Sequence, residues 1–245
     1  MTSGLRGLAN PPNASMNVSA SRICKEILSI AEPDWVILNL GSGTRFRYGF
    51  NNHRFAALRS QVVNLELTIM PNVDITADGH SLPFKADSFH LVINQAVLEH
   101  VRDPEKVVLE MIRVLRPGGY LYVEVPFLQG YHPTPTDYRR FTEEGMRQLL
   151  SDLVPIEIGV CAGPTSALAN FLREYAKIPF DNPRLSRLAF IIAGWMVFPL
   201  KYLDLALNSR EKAAHLASAL YFWGRKTASS PRTSLQKTGW RGCNC

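Results

Sequence analysis

Two carboxylates and a pair of glycines occupy positions at which a chain could hold a nucleoside. Gly41 and Gly43 follow the first apolar run of the sequence, and glycines there let the backbone approach a ligand without a Cβ atom in the way. Glu66 lies near the end of the second apolar run, where a carboxylate can accept both hydroxyls of a ribose. Asp78 ends the third run and can accept an adenine amino group. The alternatives are a simple turn for the glycines and a surface acid for Glu66.

A second group of reactive side chains follows the fifth apolar run. His132 and Asp137 are candidates for the general base that removes a proton from an acceptor. Arg139 is a candidate for binding an anionic acceptor, and Tyr131 and Tyr138 can offer ring faces to a cation or to the acceptor. The alternative is a loop stiffened by prolines, whose polar groups only cap neighbouring elements.

The elements that must position these groups alternate along the chain. Apolar runs predict strands at 35–40, 62–67, 73–78, 89–94, 120–125, 155–161 and 217–223. Helices are predicted at 21–31, at 104–115 after the N-cap Asp103, and at 142–150, with a mainly helical, apolar insertion at about 165–212. This order predicts an α/β fold with a doubly wound, Rossmann-like, seven-stranded and mostly parallel sheet, which binds ligands at the carboxyl ends of its strands.

Charge and composition divide the chain into three parts. We expect a flexible N-terminal segment at 1–20, one domain at 21–226 and a basic flexible tail at 227–245. The net charge is +6, but residues 224–245 contain five basic residues and no acidic one. The body of the chain is therefore nearly neutral, and no nucleic-acid partner is expected.

The four cysteines predict neither a disulfide framework nor a metal site. Cys24 and Cys161 have apolar neighbours, and Cys243 and Cys245 form a C-x-C with no cysteine or histidine nearby. The first 20 residues lack the apolar region of a signal peptide. These features predict a cytoplasmic protein in a reducing compartment.

The apolar run 188–200 has two interpretations. It is shorter than the ~18 residues of a membrane span, so we expect a helix buried in the core of the insertion or an oligomer contact. The alternative is an interfacial helix that acts with the basic tail at the inner face of a membrane and brings the protein to a lipid-linked acceptor. The oligomeric state itself is left open.

Five segments, in their order and spacing, resemble the class I S-adenosylmethionine-dependent methyltransferases, in particular the subgroup that acts on small molecules and glycans. They are Leu-Asn-Leu-Gly-Ser-Gly (38–43), Asn-Leu-Glu (64–66), Ala-Asp-Gly-His-Ser-Leu-Pro-Phe (77–84), Leu-Glu-His-Val (98–101) and Arg-Val-Leu-Arg-Pro-Gly-Gly (113–119). The resemblance runs from about residue 35 to 150, and the last predicted strand extends it to about 226. It implies S-adenosylmethionine as the cofactor.

The resemblance also implies roles for individual residues. Gly41 and Gly43 would lie under the methionine moiety, Glu66 would hold the ribose, Asp78 would bind the adenine, and Gln95 would line the wall near the sulfonium. The full set of candidate cofactor-binding residues is Asn39, Gly41, Ser42, Gly43, Arg45, Glu66, Asp78, Gly79, Leu82, Asn94 and Gln95.

Three residues depart from the pattern of the family. Asn39 stands where an aspartate is usual, Arg45 where a glycine is usual, and His90 where an aspartate is usual. Arg45 either pairs with the methionine carboxylate or points into solvent. For His90 we expect a structural role. His100 is a further candidate base, but the family motif places it at a strand-to-helix junction, where a structural role is favoured.

These observations predict a methyltransferase that transfers a methyl group to an oxygen of a small-molecule, saccharide or lipid-linked acceptor. The oxygen is favoured because the fourth strand lacks the Asn-Pro-Pro-Tyr exit of many amino-group methyltransferases. A nicotinamide-dependent oxidoreductase is disfavoured because Phe46 replaces the third glycine of Gly-x-Gly-x-x-Gly. A non-catalytic binding module or membrane-associated scaffold with this fold stays open, since Asn39 and Arg45 are unusual.

Overall fold

A computed structural model describes residues 10–17, 19–32, 34–43 and 62–227 of the 245-residue chain. Its strands are β1 (Ile37–Leu40), β2 (Val62–Glu66), β3 (Ile75–Thr76), β4 (Phe89–Gln95), β5 (Leu115–Pro126), β6 (Val154–Ala162) and β7 (Ala219–Arg225). Its α-helices are α1 (Ser19–Ile30), α2 (Pro104–Val114), α3 (Glu143–Leu149), α4 (Pro164–Tyr175), α5 (Pro183–Val197) and α6 (Asp204–Leu207). Two 3₁₀ segments, Phe198–Leu203 and Glu211–Leu216, flank α6.

The seven strands form one sheet in the order β3-β2-β1-β4-β5-β7-β6. The pairs from β3 to β5 are parallel, and β7 runs antiparallel between β5 and β6. The order reverses on either side of β1, so the carboxyl ends of β1 and β4 flank the crevice where open α/β sheets bind ligands. The predicted fold class, a mostly parallel seven-stranded α/β sheet, is confirmed.

Both faces of the sheet are buried, which explains the continuous apolar runs of the strands. Ile37, Leu91 and Trp223 pack with Ile23 and Ile27 of α1 on one face. On the other face, Leu38, Leu40 and Val92 pack with Val107 and Met111 of α2. The site is therefore carried by a three-layer core.

Helix α2 begins as the sequence predicts and ends within one residue of the predicted end, but the strand that follows it starts early. The Asp103 side chain accepts the Lys106 amide, and Pro104 takes the first turn. The strand predicted at 120–125 begins earlier: the chain enters β5 directly at Leu115, which pairs with Phe89. The apolar Leu115 side chain is fully buried there, which favours extended backbone before Gly118 and Gly119.

Part of the segment that we expected to be flexible is packed. Residues 10–17 lie on the domain: Ala14 is fully buried, and Asn17 forms an antiparallel bridge with Ala162. The Asn17 side chain accepts the Ala20 amide and so helps to cap α1. The prediction of a flexible lead-in is therefore wrong for residues 10–17.

The helices between β6 and β7 form a layer with an apolar outer face. The segment Pro183–Leu207 is helical over 25 residues with a mean hydropathy of 1.5, long and apolar enough to cross a membrane by length and composition alone, and only 17% of its most apolar window is buried. The run 188–200 is therefore not buried in a core of the insertion, and that half of the expectation is wrong; the oligomer contact stays a prediction. Only Ile191, Gly194 and Val197 of α5 are buried.

Candidate active site

A cavity of about 400 Å³ lies at the carboxyl ends of β1, β2, β3 and β4. Gly41 and Gly43 follow β1, Glu66 ends β2, and Asp78 and Gly79 follow β3. The Glu66 carbonyl accepts the Ala77 amide at 3.0 Å, and this bond brings the ends of β2 and β3 together. The sheet thus places both carboxylates and the glycine turn around one cavity.

Gly41 has two reasons to be glycine. Its φ angle is +73°, in the left-handed region that disfavours other residues. A Cβ atom on Gly41 would also lie 2.1 Å from Cγ2 of Val97, another residue that lines the cavity. The backbone turn and the close approach of Val97 therefore both depend on the missing side chain.

The two carboxylates are held by backbone amides. Glu66 Oε2 accepts the Gly43 amide at 2.8 Å, and its Oε1 accepts the Leu67 amide at 2.9 Å. Asp78 Oδ1 accepts the His80 amide at 2.9 Å, and this bond, with the His80 ring, holds the pKa of Asp78 below its usual value. Both groups are therefore placed as acceptors for hydroxyl or amino donors in the cavity.

Several candidate cofactor residues lie outside this cavity. The Asn39 amide donates to Asn64 Oδ1 at 3.0 Å, across the β1–β2 pair. Leu82 is buried in the main core. Ser42, Asn94 and Gln95 are buried and do not line it in the described parts of the chain.

Two of the unusual residues have separate outcomes. Arg45 lies outside the described residues. His90 packs at the opposite end of β4, where its Nδ1 accepts the Val36 amide at 2.9 Å and its ring stacks on Trp35 at 5.7 Å between centroids. This position supports the structural role expected of His90.

A second cavity of about 120 Å³ adjoins the first, and Ala96 lines both. The remaining wall comes from β5, β6, the start of β7, the N-terminal segment and the segments after β4 and β5. Its polar lining is Ser15, Asn17, Glu99, Glu124, Gln129 and His132, and small or apolar residues complete it. A small polar group of a second ligand would fit there, beside the first cavity.

His132 is the predicted catalytic residue that lines this second cavity. Its Nε2 lies 3.7 Å from Glu99 Oε1, and its Nδ1 lies 2.8 Å from the Gly130 carbonyl. The Glu99 carboxylate, more than the Gly130 carbonyl, raises the pKa of His132. The ring therefore has one nitrogen fixed by the backbone and the other directed at a buried acid.

The contacts of Asp137 do not support the predicted role of a general base. Its carboxylate forms a two-point ion pair with Arg140, with contacts of 2.5 and 2.7 Å, and accepts the His132 amide at 2.8 Å. The Arg140 pair holds the pKa of Asp137 far below its usual value. A carboxylate this acidic is a poor proton acceptor at neutral pH, so Asp137 is revised to a residue that positions the loop.

The three residues predicted to bind the substrate lie in different surroundings. Tyr138 lines the large cavity, and its hydroxyl accepts Arg102 Nε at 3.1 Å. Arg139 instead donates to the Arg102 carbonyl at 2.6 Å. This contact positions the loop and uses a guanidinium nitrogen that was predicted to bind an anionic acceptor. Tyr131 is 78% exposed and lies outside both cavities.

Two acids at the site, Glu99 and Glu124, were not predicted, and His100 was expected to be structural. Glu99 is fully buried, Glu124 is 4% exposed, and His100 faces the large cavity. Burial, more than any other cause, raises the pKa of Glu124. An acid inside the apolar strand β5 was a signal for Glu124, whereas no local pattern predicts the burial of Glu99.

Comparison with known proteins gives consistent matches. Residues 50–123 match the family described as a methyltransferase domain. The demethylmenaquinone methyltransferase of Renibacterium salmoninarum is 32% identical over 130 residues, which cover 49% of this chain and 52% of the relative. The enzyme of the same name from Streptomyces avermitilis is 30% identical over 178 residues, which cover 67% of this chain and 70% of the relative.

A solved structure shows the same fold. It is the 1,6-didemethyltoxoflavin-N1-methyltransferase of Burkholderia thailandensis with bound 1,6-didemethyltoxoflavin and S-adenosylhomocysteine. The two chains superpose with a TM-score of 0.51 at 17% identity, covering 86% of this chain and 77% of the other.

Proposed function

The chain belongs to the class I S-adenosylmethionine-dependent methyltransferases, and we propose that it methylates an oxygen of a small apolar or lipid-linked acceptor. The observation that carries the proposal is the pair of adjoining cavities. One has the glycine turn and two carboxylates that suit a nucleoside, and the other has ionisable groups that suit a reacting hydroxyl.

The residues of the large cavity fit the cofactor of the family. Gly41 leaves a cradle that a Cβ atom would fill, Glu66 can accept the ribose hydroxyls, and Asp78 can accept the adenine amino group. When bound, S-adenosylmethionine supplies a methyl group on a sulfonium, whose bonding electrons stay on the sulfur. Tyr138 and His100 line the same cavity.

The small cavity supports oxygen as the target. The acceptor oxygen must lose a proton as it gains the methyl group, and Glu99, Glu124 and His132 line this cavity. The small volume admits the reacting end of the acceptor only. The curated relatives are named for demethylmenaquinone, and a plant relative for cycloartenol; this chain's acceptor is proposed from its own surfaces.

Calorimetric titration with S-adenosylhomocysteine tests the proposal. We expect micromolar binding by the intact chain and a loss of about tenfold to a hundredfold in Glu66→Gln, because hydrogen bonds to a charged acceptor contribute about 1.5–3 kcal/mol. The matched control, Glu144→Gln, changes an exposed acid outside both cavities. Absence of binding by the intact chain would reject the methyltransferase proposal and favour a scaffold. A methyl-donor assay against lipid and glycan extracts then separates the acceptor classes.

We also propose that the outer face of the helical layer contacts an anionic membrane surface. Leu185, Ile192 and Met196 of α5 are 50%, 52% and 74% exposed, and α4 and α6 add further exposed apolar side chains. The exposed basic residues Arg187 and Lys212 lie in the same layer. An apolar face with a basic margin is typical of a helix that lies in the interface of a bilayer.

The contacts of the layer favour lying on the membrane over crossing it. The Asp204 carboxylate near the end of the segment is buried and accepts the amides of Thr165 and Ser166 at 2.9 Å. Gly194, in the last turn of α5, packs against Pro11. These contacts hold the segment on the domain. Sedimentation with vesicles tests the proposal: we expect binding to vesicles that contain anionic lipid, and equal recovery in the supernatant with and without them would contradict it.

A further inference from the structure

Glu99 is a buried carboxylate whose charge the site leaves without a hydrogen bond. It is fully buried, and neither of its oxygens has a hydrogen-bond partner among the described residues. A carboxylate in this position costs several kcal/mol unless a cation or proton compensates it. Its Oε1 lies 3.7 Å from Nε2 of His100 and 3.7 Å from Nε2 of His132.

Both histidines present the same nitrogen to Glu99. His100 Nδ1 lies 2.5 Å from the Thr136 carbonyl, and His132 Nδ1 lies 2.8 Å from the Gly130 carbonyl. A carbonyl only accepts, so His100 Nδ1 donates to Thr136. His132 Nδ1 has a second neighbour, a donor nitrogen of Arg140 at 3.2 Å, but the carbonyl contact is the shorter one, and we assign the hydrogen to this nitrogen as well. Each Nε2 then keeps a lone pair, and this is the arrangement that orients metal-binding histidines in proteins.

The distances suit a metal ion. The three ligand atoms of Glu99, His100 and His132 lie within 4.8 Å of one another. Two ligands at the usual ~2.0–2.2 Å from a tetrahedral ion are about 3.3–3.6 Å apart, close to the two 3.7 Å distances. Two imidazoles and one carboxylate form a donor set for zinc and similar divalent ions, with a position left open.

The surrounding charges favour a cation. Arg140 places a guanidinium nitrogen 3.2 Å from His132 Nδ1, but Asp137 offsets its charge through a two-point ion pair. Glu124 lines the same small cavity and adds a second acid.

We propose that Glu99, His100 and His132 bind one divalent transition-metal ion, such as Zn²⁺, in the wall between the two cavities. The expectation of no metal site came from the cysteines alone and did not include this cluster. The proposal gives His132 the role of a ligand instead of a general base.

The role of the ion rests on the proposed function. An acceptor hydroxyl in the small cavity would take the open position on the ion. Its O–H bond breaks with the electron pair left on the metal-bound oxygen, and the proton passes to the Glu124 carboxylate in the same cavity. The ion thereby lowers the pKa of the hydroxyl.

Titration of the metal-stripped full chain with Zn²⁺ tests the site, with Co²⁺ as a spectroscopic probe. We expect one ion per chain, visible Co²⁺ absorption bands, and a loss of at least about a hundredfold in affinity in Glu99→Gln and in His132→Ala, because even outer partners of a ligand cost 10–100-fold. His132 is 37% exposed, so His132→Ala keeps the test valid should the buried Glu99→Gln fail to fold.

Two controls exclude binding elsewhere. Cys243→Ser with Cys245→Ser removes the C-x-C of the tail, and His215→Ala removes an exposed histidine; both should keep the affinity within about twofold. Zn²⁺ binding that disappears with the cysteines and survives Glu99→Gln would overturn the proposal, as would the absence of binding. S-adenosylhomocysteine binding by the same samples tells the two proposals apart: the metal-site variants should keep it, and Glu66→Gln should lose it while keeping Zn²⁺.

Discussion

The turn after β1 depends on one residue, Gly41, for both its backbone angle and its clearance from Val97. We expect Gly41→Ala to lower the free energy of unfolding by about 1–3 kcal/mol, through left-handed strain and a steric clash. It should also weaken S-adenosylhomocysteine binding by at least tenfold, because the turn lines the cavity. Urea unfolding and calorimetry measure the two effects.

Adding Val97→Ala to Gly41→Ala separates the two causes. The double variant removes the clash and keeps the strain, so it should recover only part of the lost stability. Gly130→Ala is the control, since a Cβ atom on Gly130 meets no atom within 4 Å. A single variant as stable as the wild type would show that the turn tolerates a side chain.

Glu124 gives the stability of the protein a dependence on pH. Its folded pKa lies above its ordinary value near 4.5 because of burial, and Tyr122 and Asn17 donate to its carboxylate. Well below pH 4.5, Glu124 is protonated in both the folded and the unfolded state. As the pH rises, Glu124 ionises first in the unfolded state, so the free energy of unfolding falls. The fall ends once the pH has passed the folded pKa. The loss is about 1.4 kcal/mol for each pH unit that separates the folded pKa from the unfolded pKa.

Glu124→Gln should remove this loss. Relative to the wild type, the variant should gain free energy of unfolding as the pH is raised above 4.5, with a plateau above the folded pKa. Urea unfolding between about pH 4.5 and pH 8 in metal-free buffer measures it, and Glu144→Gln should follow the wild type. If the free energies of unfolding of Glu124→Gln and the wild type change in parallel with pH, the pKa of Glu124 is not raised in the folded state.

At the scale of elements, helix α4 depends on a residue of α6. The N-cap of α4 is Gly163, which has no side chain to accept the first amides, and the buried Asp204 carboxylate accepts those of Thr165 and Ser166 instead. We expect Asp204→Ala to cost about 2–4 kcal/mol of unfolding free energy, since it removes two charge-assisted bonds and leaves buried amides unpaired. Asp204→Asn should cost less because one acceptor remains.

Urea unfolding of Asp204→Ala beside Asp181→Ala checks this capping, because Asp181 is exposed and precedes α5. Equal stability of these two variants would exclude a capping role. The same contact bears on the proposed membrane contact, since Asp204 ties the apolar segment to the domain.

The sheet was predictable because burial on both faces leaves continuous apolar runs, and both carboxylates of the large cavity stand at or beyond strand ends in the sequence. The small cavity could not be predicted from the sequence. It depends on the loop after β5 folding onto the β4 exit, where the Tyr138 amide donates to the Glu99 carbonyl and the Thr136 hydroxyl to the His100 carbonyl. These contacts join residues more than 30 positions apart and leave no periodic signal. The exposure of α5 could not be predicted either, because an apolar helix has the same sequence pattern whether it packs in a core or lies at a surface.

At the scale of the whole molecule, the fold separates a polar reaction site from an apolar face. The cavities lie at the carboxyl ends of the strands, and the helical layer between β6 and β7 presents its apolar side chains outward. A small domain rarely exposes so many large apolar side chains together without a partner. A membrane-bound protein would meet apolar acceptors at the surface that holds them, so vesicle binding and use of a lipid-linked acceptor should decline together.

Two isoleucines allow a matched test of this coupling. Ile192 on α5 and Ile156 on β6 are 52% and 48% exposed, so the same change to glutamate costs both a similar packing energy. Ile192→Glu should weaken binding to anionic vesicles by about tenfold or more, because an apolar side chain leaves the bilayer and a charge must enter it. Ile156→Glu lies outside the helical layer and should bind like the wild type. If both variants bind vesicles equally, the apolar face of α5 does not contact the bilayer, and an oligomer contact explains its exposure better. Unchanged binding of S-adenosylhomocysteine by both variants shows that their fold is intact.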